Sequence, residues 1–450
     1  MSLYSELHRP QLHFSASKNW INDPNGLVYQ DGVWHLFFQY NPDSTIWGPN
    51  MTWGHAVSED LLHWQQLDHA LHPDELGSMF SGSAVVDHEN TAGFGAGALL
   101  AFYTAAGEFA EPKQPYTQCL AYSTDAGQRW TKFSGNPAVE CFEQGNRDPK
   151  VVWHPDTRQW IMALYLTGNH YCLLRSPDAK TWSRFQDLTL EDVTECPDFF
   201  PLADESGTER WVFWGARGIY LLGGFDGNQF SPDTDALICE RGPNGYAAQT
   251  WSDAPDGRRI QISWMAGGQY PEMPFNQQMS IPVELRLTGS GDKTRLARWP
   301  VAELNTLRQR TIRIERETIT TGRPLAVDTN AKLLDVSFTV SKHEACALYV
   351  MVRGQTMVFD WSANELRFSH SGTHKVMPDR QQVPLPDEAS LTVRLLIDTT
   401  SVEVFINLGV VSASFCFLAS GYIRPLVLQS YDGEQTIDNF ELHELASIWT

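Results

Sequence analysis

Apolar residues in this chain fall in short runs of strand length rather than on long helical stripes. HLFFQY from His35, LLAFYT from Leu99, CLAYST from Cys119, WIMALYL from Trp160, YCLLRS from Tyr171, RWVFWG from Arg210 and IQISWM from Ile260 are all of this kind. They are rich in aromatic and branched residues, the composition that suits a pleated, largely buried strand. Asp31-Gly32, Asp125 to Gly127, Asp226-Gly227 and Asp256-Gly257 punctuate them, as tight hairpins require. No helical stretch long enough for a parallel crossover lies between them, which argues against α/β architectures.

Beyond residue 320 the alternation is stricter. Val336, Phe338 and Val340 point one way while Asp335, Ser337 and Thr339 point the other, and Val402, Val404 and Ile406 repeat the pattern. With turns at Gly354, Gly372 and Gly409, this predicts an antiparallel β-sandwich over 319–450. Val301, Leu304 and Leu307 share a helical spacing, so a short helix is expected in a linker over 301–318.

The first 300 residues carry a weak repeat. Ser58-x-Asp60-x3-Trp64, Ser123-x-Asp125-x4-Trp130 and Ser176-x-Asp178-x3-Trp182 share a pattern, and Phe225-Asp226-Gly227 is a looser copy. Successive Asp residues are 65, 53 and 48 apart. A unit of about fifty residues holding several antiparallel strands is a propeller blade, and 1–300 has room for five. An array of sandwiches with coincident turns is the competing arrangement.

Composition narrows the function. The 450 residues are 42% hydrophobic and 19% charged, with a net charge of −21. That acidic excess argues against nucleic acid or an anionic membrane as partner, and no apolar run reaches the length of a membrane span. The opening MSLYSELHRPQLHFSASKNW has no apolar leader pattern, and seven cysteines, an odd number, do not form a disulfide framework. The expectation is a cytoplasmic protein. Phosphate-loop, HExxH, CxxC and GxSxG motifs are all missing. His55, His63, His69 and His72 lack ligand spacing, and Gly93, Gly95 and Gly97 read as a flexible turn. No metal or cofactor is expected.

Carboxylates in polar, aromatic company are the remaining source of chemistry. Asp23 sits in Trp20-Ile21-Asn22-Asp23-Pro24-Asn25-Gly26, Asp148 in Arg147-Asp148-Pro149, and Glu195 in Glu195-Cys196-Pro197-Asp198. Singly, each motif reads equally as a turn or a cap. Together they keep phase with the repeat: Asp23, Ser81, Asp148, Glu195 and Tyr246 lie 58, 67, 47 and 51 apart, one per inferred blade. Residues at equivalent places in five blades converge on one axis. Acids meeting in an aromatic pocket suit acetal cleavage, in which one carboxyl protonates the leaving oxygen and another attacks or activates water.

WINDPNG at 20–26, FFQYNP at 37–42, WGPNMTWGHAVSEDLLHW at 47–64, FSGSAV at 80–85, RDPKV at 147–151 and ECPDFF at 195–200 together resemble glycoside hydrolase family 32, the invertases, inulinases and levanases. IDTTSVEVFINLG at 397–409 is similar to a strand pair of that family's C-terminal sandwich. The resemblance spans nearly the whole chain and implies a five-bladed β-propeller followed by a β-sandwich. Methionine is usual where Ile21 stands, an apolar exchange of little consequence.

By this resemblance Asp23 is the nucleophile, Glu195 the acid/base and Asp148 the transition-state stabiliser. Asn22, Gln39, Trp47, Phe80, Ser81 and Arg147 match positions lining the fructosyl pocket, with Tyr246 and Trp264 as looser matches. The implied activity is retaining, exo-acting release of β-D-fructofuranosyl units from sucrose or short fructans, small sugars being the only partner implied. Sucrose 6-phosphate hydrolysis and fructosyl transfer are alternatives through the same intermediate. A propeller that binds fructosides without cleaving them is the alternative of a different class.

Overall fold

The computed structural model describes residues 3–342, 345–369, 380–419 and 426–449. Over 19–300 the chain forms five antiparallel sheets in succession, here blades I to V. Their first strands are Asn19–Gln30, Ser78–Asp87, Arg147–His154, Asp198–Ala203 and Gly245–Thr250. Each first strand packs against those of the blades on either side, so the five close a ring around one axis. This is the five-bladed propeller expected from the repeat.

Backbone hydrogen bonds seal the ring. Tyr29 N–H donates to Ser252 O at 3.0 Å and Ser252 N–H to Leu27 O at 2.9 Å, joining blades V and I. Phe275–Asn276, from blade V, adds a parallel strand beside Asn19 and Trp20.

The repeat proves to be one local device used three times. Ser58, Ser123 and Ser176 hydroxyls donate to Oδ1 of Asp60, Asp125 and Asp178 at 3.0, 2.9 and 3.0 Å. The indoles of Trp64, Trp130 and Trp182 then close each turn by donating to the backbone oxygens of Leu61, Gly127 and Ala179, all at 3.1 Å. The aspartate satisfies turn N–H groups that the ladder cannot reach, and the tryptophan plugs the hairpin. In the looser fourth copy Asp226 Oδ1 accepts from the N–H groups of Asn228 and Gln229, both at 2.8 Å.

The linker is shorter than 301–318. A 3-10 helix covers Ala302–Leu307, burying Leu304 and Leu307 beside Val301, and the exact three-residue spacing of that apolar set fits the tighter helix. Arg308–Ile319 is already a strand of the sandwich, paired with Gln435–Leu445. Its charged, exposed residues hide the strand from a hydrophobicity reading, but such charge is usual on the outermost strand of a sheet.

Two six-stranded sheets make the sandwich. Val336, Phe338 and Val340 and, two strands away in the same sheet, Val402, Val404 and Ile406 all enter its core, as the alternation predicts. Gly354 and Gly409 occupy turns with φ of 85° and 91°, while the turn expected at Gly372 lies outside the described residues. The sandwich grips the propeller through buried polar groups. His13 bridges Asp398 Oδ2 at 2.7 Å and Glu403 Oε1 at 2.9 Å, and Arg298 meets Glu240 and Ser412.

Candidate active site

Each first strand begins at the same mouth of the ring, and there the ladder is broken on purpose. In blade I, Ile21 pairs with Tyr40 and Pro24 with Phe38, so Asn22 and Asp23 both oppose Gln39. Pro24 brings no N–H to the ladder and keeps Asp23 extended. Register also slips at Ser81 in blade II, after Arg147 in blade III and after Tyr246 in blade V. Asp148 and Ala247 sit at φ of 64° and 51° within these slips. Blade IV achieves the same turn just before its strand, with Glu195 and Cys196 at φ of 38° and 39°. Bulges bend a strand and re-aim its side chains, and here they turn the chemical groups into the channel mouth.

Asp23, Asp148 and Glu195 meet there. Ser81 Oγ donates to Asp23 Oδ2 at 2.6 Å, and Asn22 Nδ2 to Oδ1 at 3.2 Å. Glu195 is clamped at both oxygens, Oε1 by Arg147 Nη2 at 2.6 Å and Oε2 by the Tyr246 hydroxyl at 2.7 Å. Cys196 stands between the two aspartates, its thiol 3.6 Å from Asp23 Oδ2 and 3.4 Å from Asp148 Oδ2. Glu195 is the open member of the trio: 33% of its side chain is exposed, against 4% for Asp148. A group that must reach a leaving oxygen and then a water needs that openness.

Burial sets the charge states. It raises the Asp23 carboxyl above the ordinary range, opposed by the Ser81 and Asn22 hydrogen bonds. It pushes Asp148 up to about 7, with Arg147 opposing and the charges of Asp23 and Glu195 adding to the rise. Acids gathered in a desolvated cup resist ionising together. Burial and the adjacent Glu195 charge also raise Tyr246, which stays a donor. The Cys196 thiol is likewise raised, mainly by burial and then by Asp148.

Aromatic rings form the walls. Trp47, 44% exposed, lies edge-on to Phe80 and Phe109 at 6.3 and 5.8 Å between centroids. Trp264 meets Tyr246 and Trp20, both at 6.1 Å between centroids. Gln39 is buried beneath the acids. With its amide oriented to suit its neighbours, Asn25 accepts from Gln39 Nε2 at 3.2 Å and donates to Ser81 Oγ at 3.3 Å. All eleven residues singled out in the sequence therefore lie at one mouth of the ring.

Several supporting residues carry no sequence signal of their own. Thr104 Oγ1 accepts from Asp148 N–H at 2.9 Å and donates to Gln118 Oε1 at 2.7 Å, a buried prop behind the acid. Gln277 Oε1 takes the Trp264 indole N–H at 3.0 Å. Tyr165 lies under the Arg147 guanidinium, 4.6 Å from ring to carbon. Asn25 and Trp20 were within reach, since both stand in the WINDPNG motif, and Trp20 Nε1 donates to Asn22 Oδ1 at 2.9 Å.

Comparison with known proteins agrees with this geometry. The model described as glycosyl hydrolases family 32 N-terminal domain matches residues 13–300, and that described as glycosyl hydrolases family 32 C terminal matches 303–444. A levanase of Bacillus subtilis is 35% identical over all of this chain and 72% of its own length. An extracellular exo-inulinase of Aspergillus awamori is 31% identical over 99% of this chain and 96% of its own. The crystal structure of exo-inulinase from A. awamori superposes with a TM-score of 0.86 at 28% identity, covering 99% of this chain and 100% of that one. A β-fructofuranosidase of Schwanniomyces occidentalis, solved with fructosyl-erythritol, gives a TM-score of 0.86 at 25% identity over 99% of both chains.

Proposed function

Because the chain belongs to glycoside hydrolase family 32, we propose that it is a retaining, exo-acting β-fructofuranosidase releasing terminal fructosyl units from sucrose and short fructans. The observation that carries this reading is the place of Cys196: next in sequence to Glu195 and in contact with both Asp23 and Asp148, it brings three acids into one cup.

Asp23 is the nucleophile. Ser81 and Asn22 fix its carboxylate, which attacks the anomeric carbon as the bond to the leaving oxygen breaks. Glu195, its plane set by Arg147 and Tyr246, gives its proton to that oxygen. A fructosyl ester on Asp23 results. Glu195 then takes a proton from water, which attacks the same carbon, frees Asp23 and restores the original configuration. Asp148 hydrogen-bonds fructosyl hydroxyls and offers negative charge to the oxocarbenium-like transition state. Trp47, Phe80 and Trp264 supply flat apolar faces against which sugar rings pack.

The cation of the cup, Arg147, is engaged by Glu195, which favours neutral fructosides over sucrose 6-phosphate. Buried free thiols at Cys119, Cys172, Cys196 and Cys239 support a reducing, cytoplasmic setting, whereas the Aspergillus relative is named as extracellular. Proton NMR of the first-formed fructose anomer from sucrose tests the mechanism, and the β-anomer is expected. Stepwise fructose release from kestose and longer fructans tests exo action; internal cleavage products overturn it.

A further inference from the structure

Midway along the first strands the channel is laced shut. Ser83 Oγ donates to Pro149 O at 2.8 Å and accepts from Val151 N–H at 2.9 Å, tying blades II and III. Lys150 Nζ reaches Asp198 Oδ1 and Thr250 O, both at 2.9 Å, and Thr250 N–H donates to Asp198 Oδ2 at 2.6 Å, tying III, IV and V. All four side chains are buried. This plug separates the cup of acids from the far mouth of the ring.

At that far mouth a second cavity of about 310 Å³ opens between the ends of the first strands of blades II, III and V. Trp153 lies five positions beyond Asp148, a rise of about 16 Å along the strand, so nothing bound there touches the acids. The half-buried Trp153 lines one side, held edge-on to Trp160 at 4.9 Å. Arg259 lines the other; among the described residues its guanidinium makes no hydrogen bond or ion pair within 4 Å, stacks over Phe200 at 5.1 Å, and feels the charges of Asp198 and Asp253. Between them lie the Ser252 hydroxyl and Asp253, whose carboxylate accepts from His88 Nε2 at 2.9 Å and, at a longer 3.3 Å, from Val86 N–H.

Two further acids, Asp87 and Glu89, also line the cavity. Asp87 accepts from Thr91 and Ala92, and Glu89 pairs with Arg158. What faces the cavity is thus the Arg259 cation, the Asp253 carboxylate, a hydroxyl and an indole, and with Asp87 in the lining the balance is acidic. Such a set does not concentrate anions. It fits vicinal hydroxyls, which a guanidinium and a carboxylate bond in pairs while an indole packs against the ring. The volume lies at the small end of ligand sites, about 300–1,000 Å³, enough for one or two sugar rings.

We propose that this cavity is a second carbohydrate site, non-catalytic and independent of the acids at the opposite mouth. Only the choice of fructose as its probe rests on the proposed function. The test labels the full-length protein with 5-fluorotryptophan, assigns the Trp153 resonance with Trp153→Phe, and titrates fructose, glucose and inorganic phosphate. A saturable shift of that resonance with either sugar is expected. Arg259→Ala should weaken it by about tenfold, the equivalent of one lost charge-assisted hydrogen bond, with turnover of sucrose unchanged. Asp23→Asn should leave the Trp153 shift intact, so failure of the proposed activity and failure of this site are read separately. No shift with sugar, a shift insensitive to Arg259→Ala, or a shift with phosphate alone overturns the proposal.

Discussion

The backbone N–H of Cys196 donates to Oδ2 of Asp148 at 3.1 Å, so the residue that follows Glu195 is the one that holds Asp148. Two acids 47 residues apart are thereby held in register by a single peptide group, one that any residue but proline at position 196 can supply. The left-handed φ at Glu195 and Cys196 aims that group and explains why the turn is worth its strain.

Asp148 illustrates a conflict between stability and chemistry. Its native carboxyl titrates near 7 against 3.8 for the ordinary group, chiefly through burial. The native state therefore binds the extra proton across that window, and the wild type loses stability as pH rises from about 3.8 to 7. Asp148→Asn should raise Tm most at pH 8 and progressively less toward pH 4, while lowering kcat by about 10³-fold. Thermal melts at several pH values, paired with sucrose turnover, check both halves. A gain independent of pH would contradict the assignment.

The nucleophile and the acid/base should fail differently. Asp23→Asn removes the attacking oxygen and should lower kcat by about 10⁴-fold or more for every fructoside. Glu195→Ala should be rescued in part by azide on a substrate with a good leaving group, since attack on the ester then needs no base. The product, a fructosyl azide, is detectable by mass spectrometry. Substantial turnover by Asp23→Asn refutes the nucleophile assignment.

Ser81 depends on the glycine beside it. A Cβ at Gly82 would lie 1.9 Å from the backbone oxygen of Phe102, a contact that only backbone movement relieves. Gly82→Ala should cost about 1–3 kcal/mol and drag Ser81 away from Asp23, lowering kcat/KM as well as the denaturation midpoint. Gly224→Ala, with nothing within 4 Å of its Cβ, is the neutral control.

His13 makes the hold between propeller and sandwich pH-dependent. Burial opposes its charge, but the hydrogen bonds to Asp398 and Glu403 win and raise it to about 9 from 6.5. A raised histidine stabilises fully below the lower of these values and ceases to contribute as pH climbs through the upper one. His13→Gln should cost about 3 kcal/mol near pH 6, and the gap to wild type should close by pH 10. Denaturant melts across that range measure it.

The sequence announces this fold where a local rule repeats. The Ser-x-Asp turns with their tryptophan plugs are self-contained, so Asp60, Asp125 and Asp178 declare their blades without tertiary help. The acids were legible because each stands in its own short motif beside proline. Thr104, Gln118 and Gln277 were not, because ordinary polar residues in second and third strands and loops gain their roles only from partners in other elements. Arg308–Ile319 escaped for a related reason, as a strand at the rim of a sheet can be mostly charged. The positive φ at Glu195 and Ala247 belongs to residues that seldom adopt it, and no composition rule points to them.

The short parallel strand Phe275–Asn276 beside Asn19 and Trp20 also bears on how the molecule matures. The segment leading into Asp23 precedes its flanking strand by some 250 positions, and His13 precedes its partners Asp398 and Glu403 by 385 and 390. The first blade is therefore flanked by that strand only after residue 276 has been made, and His13 meets both of its acids only after residue 403. A chain cut between residues 196 and 274 has all three acids and still lacks the strand that flanks the first of them.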